Sequence, residues 1–118
     1  MIDANGDVMM DIEKIKQEII KQLTPLDVDR IIIFGSYANG TPHEESDIDL
    51  YVVTNDDFIP RNWREKKQLY LKVSRALRQL REYIAIDLIV HSKKMYELFK
   101  ESESSFFKYD ISKGIRLL

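Results

Sequence analysis

A chain of 118 residues can bury one modest core, which predicts a single domain over 1–118. Its 18 basic and 20 acidic residues give a formal net charge of −2, which argues against both a nucleic-acid sponge and an acidic tail, and the lack of cysteine excludes disulfides and thiolate-bound zinc. Only His43 and His91 could supply imidazole, so a bound metal would be held mainly by oxygen, which favours Mg2+ or Mn2+.

The first residues show no basic region followed by an apolar one, and nowhere does an uncharged apolar stretch approach ~18 residues. A soluble, cytoplasmic protein without membrane contact is expected. From Asp11 to Leu23, Ile12, Ile15, Ile19 and Leu23 recur at helical spacing, with Ile20 widening the stripe, and Thr24-Pro25 closes this packing helix. Arg30 to Phe34 is a β-branched run ending in an aromatic and bounded by Gly35, which predicts a buried strand. Gly35-Ser36 turns the chain. Glycine permits close backbone approach, and Ser36 can cap a short helical turn Tyr37-Ala38-Asn39 whose free N–H groups suit a phosphate; the same residues also fit an ordinary strand-to-helix turn. A polar loop follows through Glu44-Glu45, with His43 in it and no role assigned to that histidine.

Strand character resumes from Ser46 to Val53, yet it contains Asp47 and Asp49, a residue type disfavoured in strands. Two apart, they point to one face of the sheet with Cα atoms roughly 6.5–7 Å apart, close enough for both carboxylates to converge on cations. The alternative is a strand entering from solvent with a wet acidic face. After a turn at Asn55 to Pro60, Arg61 to Arg81 is predicted to be the longest helix, with Trp63, Leu69, Tyr70, Val73, Ala76, Leu77 and Leu80 facing the core. Arg61, Arg64, Lys67, Lys72, Arg75 and Arg78 fall on its opposite side, and the segment holds eight basic residues against one acid, Glu65. This basic face is either solvated surface or a dock, with an acidic partner protein the expectation and nucleic acid the rival.

Tyr83 to Val90 reads as another strand, with Asp87 alone among apolar neighbours. A carboxylate buried there needs a cation, either a metal or a Lys or Arg. Ser92 is a plausible N-cap for a helix over Lys93 to Lys100 with Met95, Leu98 and Phe99 inward. Ser104 or Ser105 starts a further helix carrying Phe107 and Ile111, Gly114 ends it, and 115–118 forms a short last strand. The order α, β, β, α, β, α, α, β describes a small α/β (α+β) domain whose mixed sheet is flanked by helices.

Phe34-Gly35-Ser36, ten intervening residues, then Asp47-Ile48-Asp49-Leu50 resembles the signature of the DNA polymerase β-like nucleotidyltransferase superfamily, and most resembles its minimal, single-domain members. The resemblance implies the same fold, with Gly35 and Ser36 holding a nucleoside triphosphate and Asp47 and Asp49 bridging two divalent ions. It also calls for a third carboxylate on a neighbouring strand. Asp87 supplies one, and by the same resemblance would bind the catalytic ion and accept the proton of the attacking hydroxyl. One departure is Asn39, where many relatives carry a basic residue after Gly-Ser.

Relatives of this kind that have known acceptors carry a second, mostly helical domain for them, and this chain has no residues left for one. Minimal members commonly pair with a small helical HEPN protein as the antitoxin of a toxin–antitoxin module. The resemblance therefore implies transfer of AMP from ATP, or another nucleoside monophosphate, to a hydroxyl on such a partner. Two alternatives stay open: transfer to an aminoglycoside-like small molecule, with a homodimer completing the acceptor site, and a non-catalytic module that masks a partner. Three mutually repelling acids argue against the last.

Overall fold

The computed structural model describes residues 12–38, 47–102 and 104–118. Helix α1 runs Ile12–Leu23, strand β1 Val28–Phe34, β2 Ile48–Thr54, helix α2 Trp63–Ala76, β3 Ile86–His91, α3 Lys93–Glu101, and β4 Ile115–Arg116. Before β4, Phe107–Ile111 forms a wide helical turn, with the Ser112 N–H reaching back five residues to the Phe107 carbonyl at 2.9 Å. The strand order is β3-β2-β1-β4, with β1 antiparallel to β2 and β4 and β2 parallel to β3. The expected mixed sheet and element order are therefore present.

Strand parity sorts the core onto two faces. Ile31, Ile33, Leu50, Val52 and Leu88 pack against α1 and α2. On the opposite face Ile32, Phe34, Tyr51 and Val53 meet α3 and the C-terminal turn through Tyr96 and Ile111. Strand β2 lies between two neighbours and under both helical layers. Leu50 to Val53 are therefore fully enclosed, the reason this strand reads as an almost continuous apolar run. The second face is aromatic, with Phe99 edge-on to Phe107 at 5.3 Å between centroids and Phe34 edge-on to Phe106 at the same distance.

Several boundaries differ from the sequence expectation for local reasons. Pro25 ends α1 in a 3-10 turn, the left-handed Asp27 (φ 53) returns its N–H to the Thr24 carbonyl, and β1 begins at Val28 instead of Arg30. Helix α2 starts at Trp63 because the Asn62 side chain accepts the Glu65 N–H at 3.0 Å. It stops at Ala76, short of Arg81, and the chain tightens into a further 3-10 turn, Leu80–Glu82, that keeps Leu77 and Leu80 against the core. Arg81 fixes this turn by donating to Ser74 Oγ at 2.8 Å and to the Ile86 carbonyl at 3.1 Å.

Trp63 is not a core residue. It sits about 120° around the helix from Leu69 and is 72% exposed. Leu98, also expected inward, is 52% exposed, and Tyr96 takes the buried position on α3 instead. The Ser92 cap is present, its hydroxyl accepting the Met95 N–H at 3.2 Å, and Ser104 Oγ likewise accepts the Phe107 N–H at 3.1 Å. The short last strand pairs Ile115 with Ile33 and Arg116 with Ile32. No helix among the described residues is long and apolar enough to cross a membrane.

Candidate active site

Three strand ends meet at one point. Register pairs Phe34 with Asp49 across β1 and β2, and Asp49 with Asp87 across β2 and β3. The turn after β1, Asp49 and Asp87 are therefore side by side, and parity puts both acids on the aromatic face, one step beyond Tyr51 and Ile89. Asp47 lies exposed immediately before β2, on the same side as Asp49.

Gly35 is required here twice over. Its φ of 75 lies in the left-handed region, and a Cβ built on it would collide with Asp49 Oδ2 and stand 3.0 Å from Asp49 Cγ. The backbone thus presses directly against the carboxylate, so the turn and the acid form one unit. Ser36 lies inside the 3-10 turn Gly35–Tyr37, which starts two residues earlier than expected and has Phe34, not Ser36, at its cap position. Ser36 is half-buried beside Asp49's strand, with its hydroxyl uncommitted to a cap.

Asp49 is partly buried, and its carboxyl is pushed above the usual range first by burial, then by the negative charges of Asp87, Asp47 and Asp110. Asp110, on the C-terminal turn, was not among the residues singled out from sequence. It precedes Ile111, which is 2% exposed in the aromatic cluster. The Phe107/Ile111 spacing marks that turn as packed, but nothing local says that it packs over the face bearing Asp49.

Asp87 is exposed, contrary to the expectation of a buried charge, because β3 is an edge strand whose Asp87 side is open while Ile86, Leu88 and Val90 face the helices. Among the described residues no Lys or Arg forms an ion pair with Asp47, Asp49 or Asp87. The donors, carboxylate oxygens only, suit a hard divalent cation. As placed, however, no three acidic or histidine side chains among the described residues close into a ligand shell. Asp47 stands just outside the strand, where its charge acts on Asp49.

His91 lies outside this cluster, four residues beyond Asp87 and so roughly 13 Å along β3. Its Nδ1 is 2.7 Å from the Tyr51 hydroxyl, and burial, followed by the nearby Lys66 charge, lowers its pKa to about 4. Burial raises the Tyr51 pKa. The pair is a neutral hydrogen bond inside the aromatic layer. The expectations attached to Asn39, His43 and the acidic loop fall outside the described residues.

Residues 13–110 match the family described as Polymerase beta, Nucleotidyltransferase. A Methanocaldococcus jannaschii protein named "Putative protein adenylyltransferase MJ0141" is 30% identical over 100 residues, spanning 82% of this chain and 96% of that one. A crystal structure of a toxin-antitoxin with AMP-PNP is similar with a TM-score of 0.51 and 26% identity, over 87% of this chain and 72% of that one. With its turn and paired strand carboxylates at the head of a mixed sheet, the chain belongs to the polymerase beta nucleotidyltransferase family and has that family's fold.

Proposed function

We propose that 1–118 acts as a single domain that transfers AMP from ATP to a hydroxyl on a partner protein. The observation that carries the reading is the contact of the Gly35 turn with Asp49, in register with Asp87. The turn, a candidate for phosphate binding, lies beside carboxylates that have no Lys or Arg partner among the described residues, and a polyanion can approach such carboxylates only with cations between them. Two bound divalent ions, Mg2+ or Mn2+, would supply the charge neutralisation and hydroxyl activation that this chemistry needs.

Each residue then has a distinct task. The Gly35-Ser36 backbone and the Ser36 hydroxyl hold the β- and γ-phosphates and direct the α-phosphorus toward the acids. Asp47 and Asp49 would hold the cations. Asp87 would help to hold a cation, and it would accept the acceptor's proton as the acceptor oxygen bonds to the α-phosphorus and pyrophosphate leaves. An open position on an edge strand suits that role, because the acceptor must reach Asp87 from solvent.

The name of the M. jannaschii relative and the toxin-antitoxin structure both support a protein acceptor, and a small helical HEPN-type protein encoded nearby is the specific candidate. The test is incubation of that protein with this chain and ATP labelled on the α-phosphate. Label on the partner that disappears with Asp49→Asn supports the proposal. Label on an aminoglycoside instead would assign a small-molecule acceptor. Tight partner binding with no label anywhere would leave the masking role.

A further inference from the structure

Strand β3 forms one edge of the sheet, and its ladder shows which of its main-chain groups stay open. Ile48 is in register with Ile86, and the Ile48 N–H donates to the Ala85 carbonyl at 2.9 Å. In a parallel ladder a residue bonds to the two neighbours of its partner, so Ala85, Asp87, Ile89 and His91 direct their main-chain groups toward β2. Ile86, Leu88 and Val90 direct theirs away from it. The Ile86 carbonyl accepts a hydrogen bond from Arg81 Nη2 at 3.1 Å on that outer side. The N–H and C=O groups of Leu88 and Val90 have no such partner among the described residues.

A row of this kind is a template for one more strand, and β3 carries few of the usual guards against it. No proline, lysine or bulge interrupts it, and its single carboxylate is Asp87 itself. Alternating donors and acceptors match an extended polypeptide. A helix has already spent its main-chain groups internally, and a nucleic-acid backbone offers acceptors without amide donors.

Parity fixes what would lie across from Asp87. Because Asp87 turns its main-chain groups toward β2, a chain antiparallel to β3 meets it at a non-hydrogen-bonded position, with Cα atoms about 4.5 Å apart and both side chains on one face. We propose that the acceptor protein presents its hydroxyl on an extended segment that pairs with Leu88 and Val90, the hydroxyl residue standing directly opposite Asp87. The proposal rests on the protein-acceptor reading above. Arg81 at one end of β3 and the Ser92 cap of α3 at the other keep the pairing short, which suits a substrate that must leave. A second copy of this chain fits the edge less well, because two-fold pairing centred on Leu88 would make the two Asp87 residues diagonal neighbours roughly 7–8 Å apart, like charges on one face.

Amide hydrogen exchange reads this edge residue by residue. A short valine-rich peptide with one central hydroxyl residue, serine or tyrosine, should slow exchange at Leu88 and Val90 at least ~10-fold and leave Ile89, already bonded to β2, unchanged. N-methylation of the peptide at the positions facing Leu88 and Val90 should abolish this protection, whereas N-methylation at the intervening positions should not. With ATP labelled on the α-phosphate, label should enter the hydroxyl opposite Asp87. It should be lost when that residue is moved one place along a peptide whose register the N-methyl groups fix, since one step turns the side chain to the other face. No slowing at millimolar peptide, or slowing indifferent to the N-methyl positions, overturns the proposal. So does protection of Leu88 and Val90 in the free chain, or protection that rises with the concentration of this chain alone. Asp49→Asn should pair with the peptide as the parent does, so pairing without transfer refutes only the catalytic reading, and transfer without protection of the edge refutes only this one.

Discussion

The two ends of β2 handle charge in opposite ways. At its far end, described acids find cations: Asp56 meets Lys72, Glu65 meets Arg61, and Asp57 lies 3.8 Å from Lys94. At its near end Asp49 feels Asp87, Asp47 and Asp110, and among the described residues no lysine or arginine offsets them. Folding could have relieved this repulsion with one arginine. Its persistence beside a glycine that fits nothing larger points to a ligand carrying the missing positive charge, since perturbed, unpaired acids concentrate at functional sites.

The largest effect that would sharpen this contrast is on transfer. Asp87→Asn should keep the fold, because the side chain is exposed, and should reduce transfer of α-labelled phosphate to the acceptor at least ~100-fold, the low end for loss of a general base. Full activity with an unchanged melting curve would make Asp87 a surface charge. Gly35→Ala comes next. A side chain at φ 75 that also collides with Asp49 should cost about 1–3 kcal/mol, visible as a lower denaturant midpoint with little change in slope, together with loss of activity.

Tyr51→Phe should cost about 1 kcal/mol by leaving His91 Nδ1 without its partner, and should leave transfer unchanged, since this pair belongs to the core and not to the acid cluster. The same pair sets a pH dependence. The folded His91 pKa of about 4 lies below the ordinary 6.5, so the unfolded chain binds the proton more readily. The stabilisation from neutral His91 is fully present above pH 6.5 and is lost as pH falls toward 4, a decline in melting temperature that His91→Gln should flatten. The smallest effect is at Asp110. Asp110→Asn should move the Asp49 carboxyl back toward its ordinary value, as read by carboxyl NMR titration, and because a raised carboxyl pKa disfavours the folded state above that pKa, stability at neutral pH should rise slightly.

Much of this was written locally in the sequence. The apolar run into Gly35, the aspartates breaking the next strand, the Ser92 and Ser104 caps and the closing strand after Gly114 all follow from short-range rules, and they place the acids correctly on neighbouring strands. What was not legible depends on tertiary placement. Asp87 reads as buried until β3 proves to be an edge strand. Asp110 joins the cluster only because a C-terminal turn folds back over the aromatic face. Trp63 and Leu98 look like core residues by type, but the helices' angular positions leave them outside, and the α2 terminus is set by the Arg81 hydrogen bonds to Ser74 and Ile86, which no helical periodicity anticipates.

On the proposed function, the acids at the near end of β2, without a Lys or Arg partner among the described residues, are completed by cations that arrive with a nucleoside triphosphate. Titration calorimetry with Mg2+ and a non-hydrolysable ATP analogue tests it most directly. Nucleotide binding should require the metal, metal binding should tighten when nucleotide is present, and both should be lost in the Asp47→Asn, Asp49→Asn double variant, which should still melt as a folded protein. A metal-dependent nucleotide heat that survives in the double variant would contradict it and place the site elsewhere on the chain.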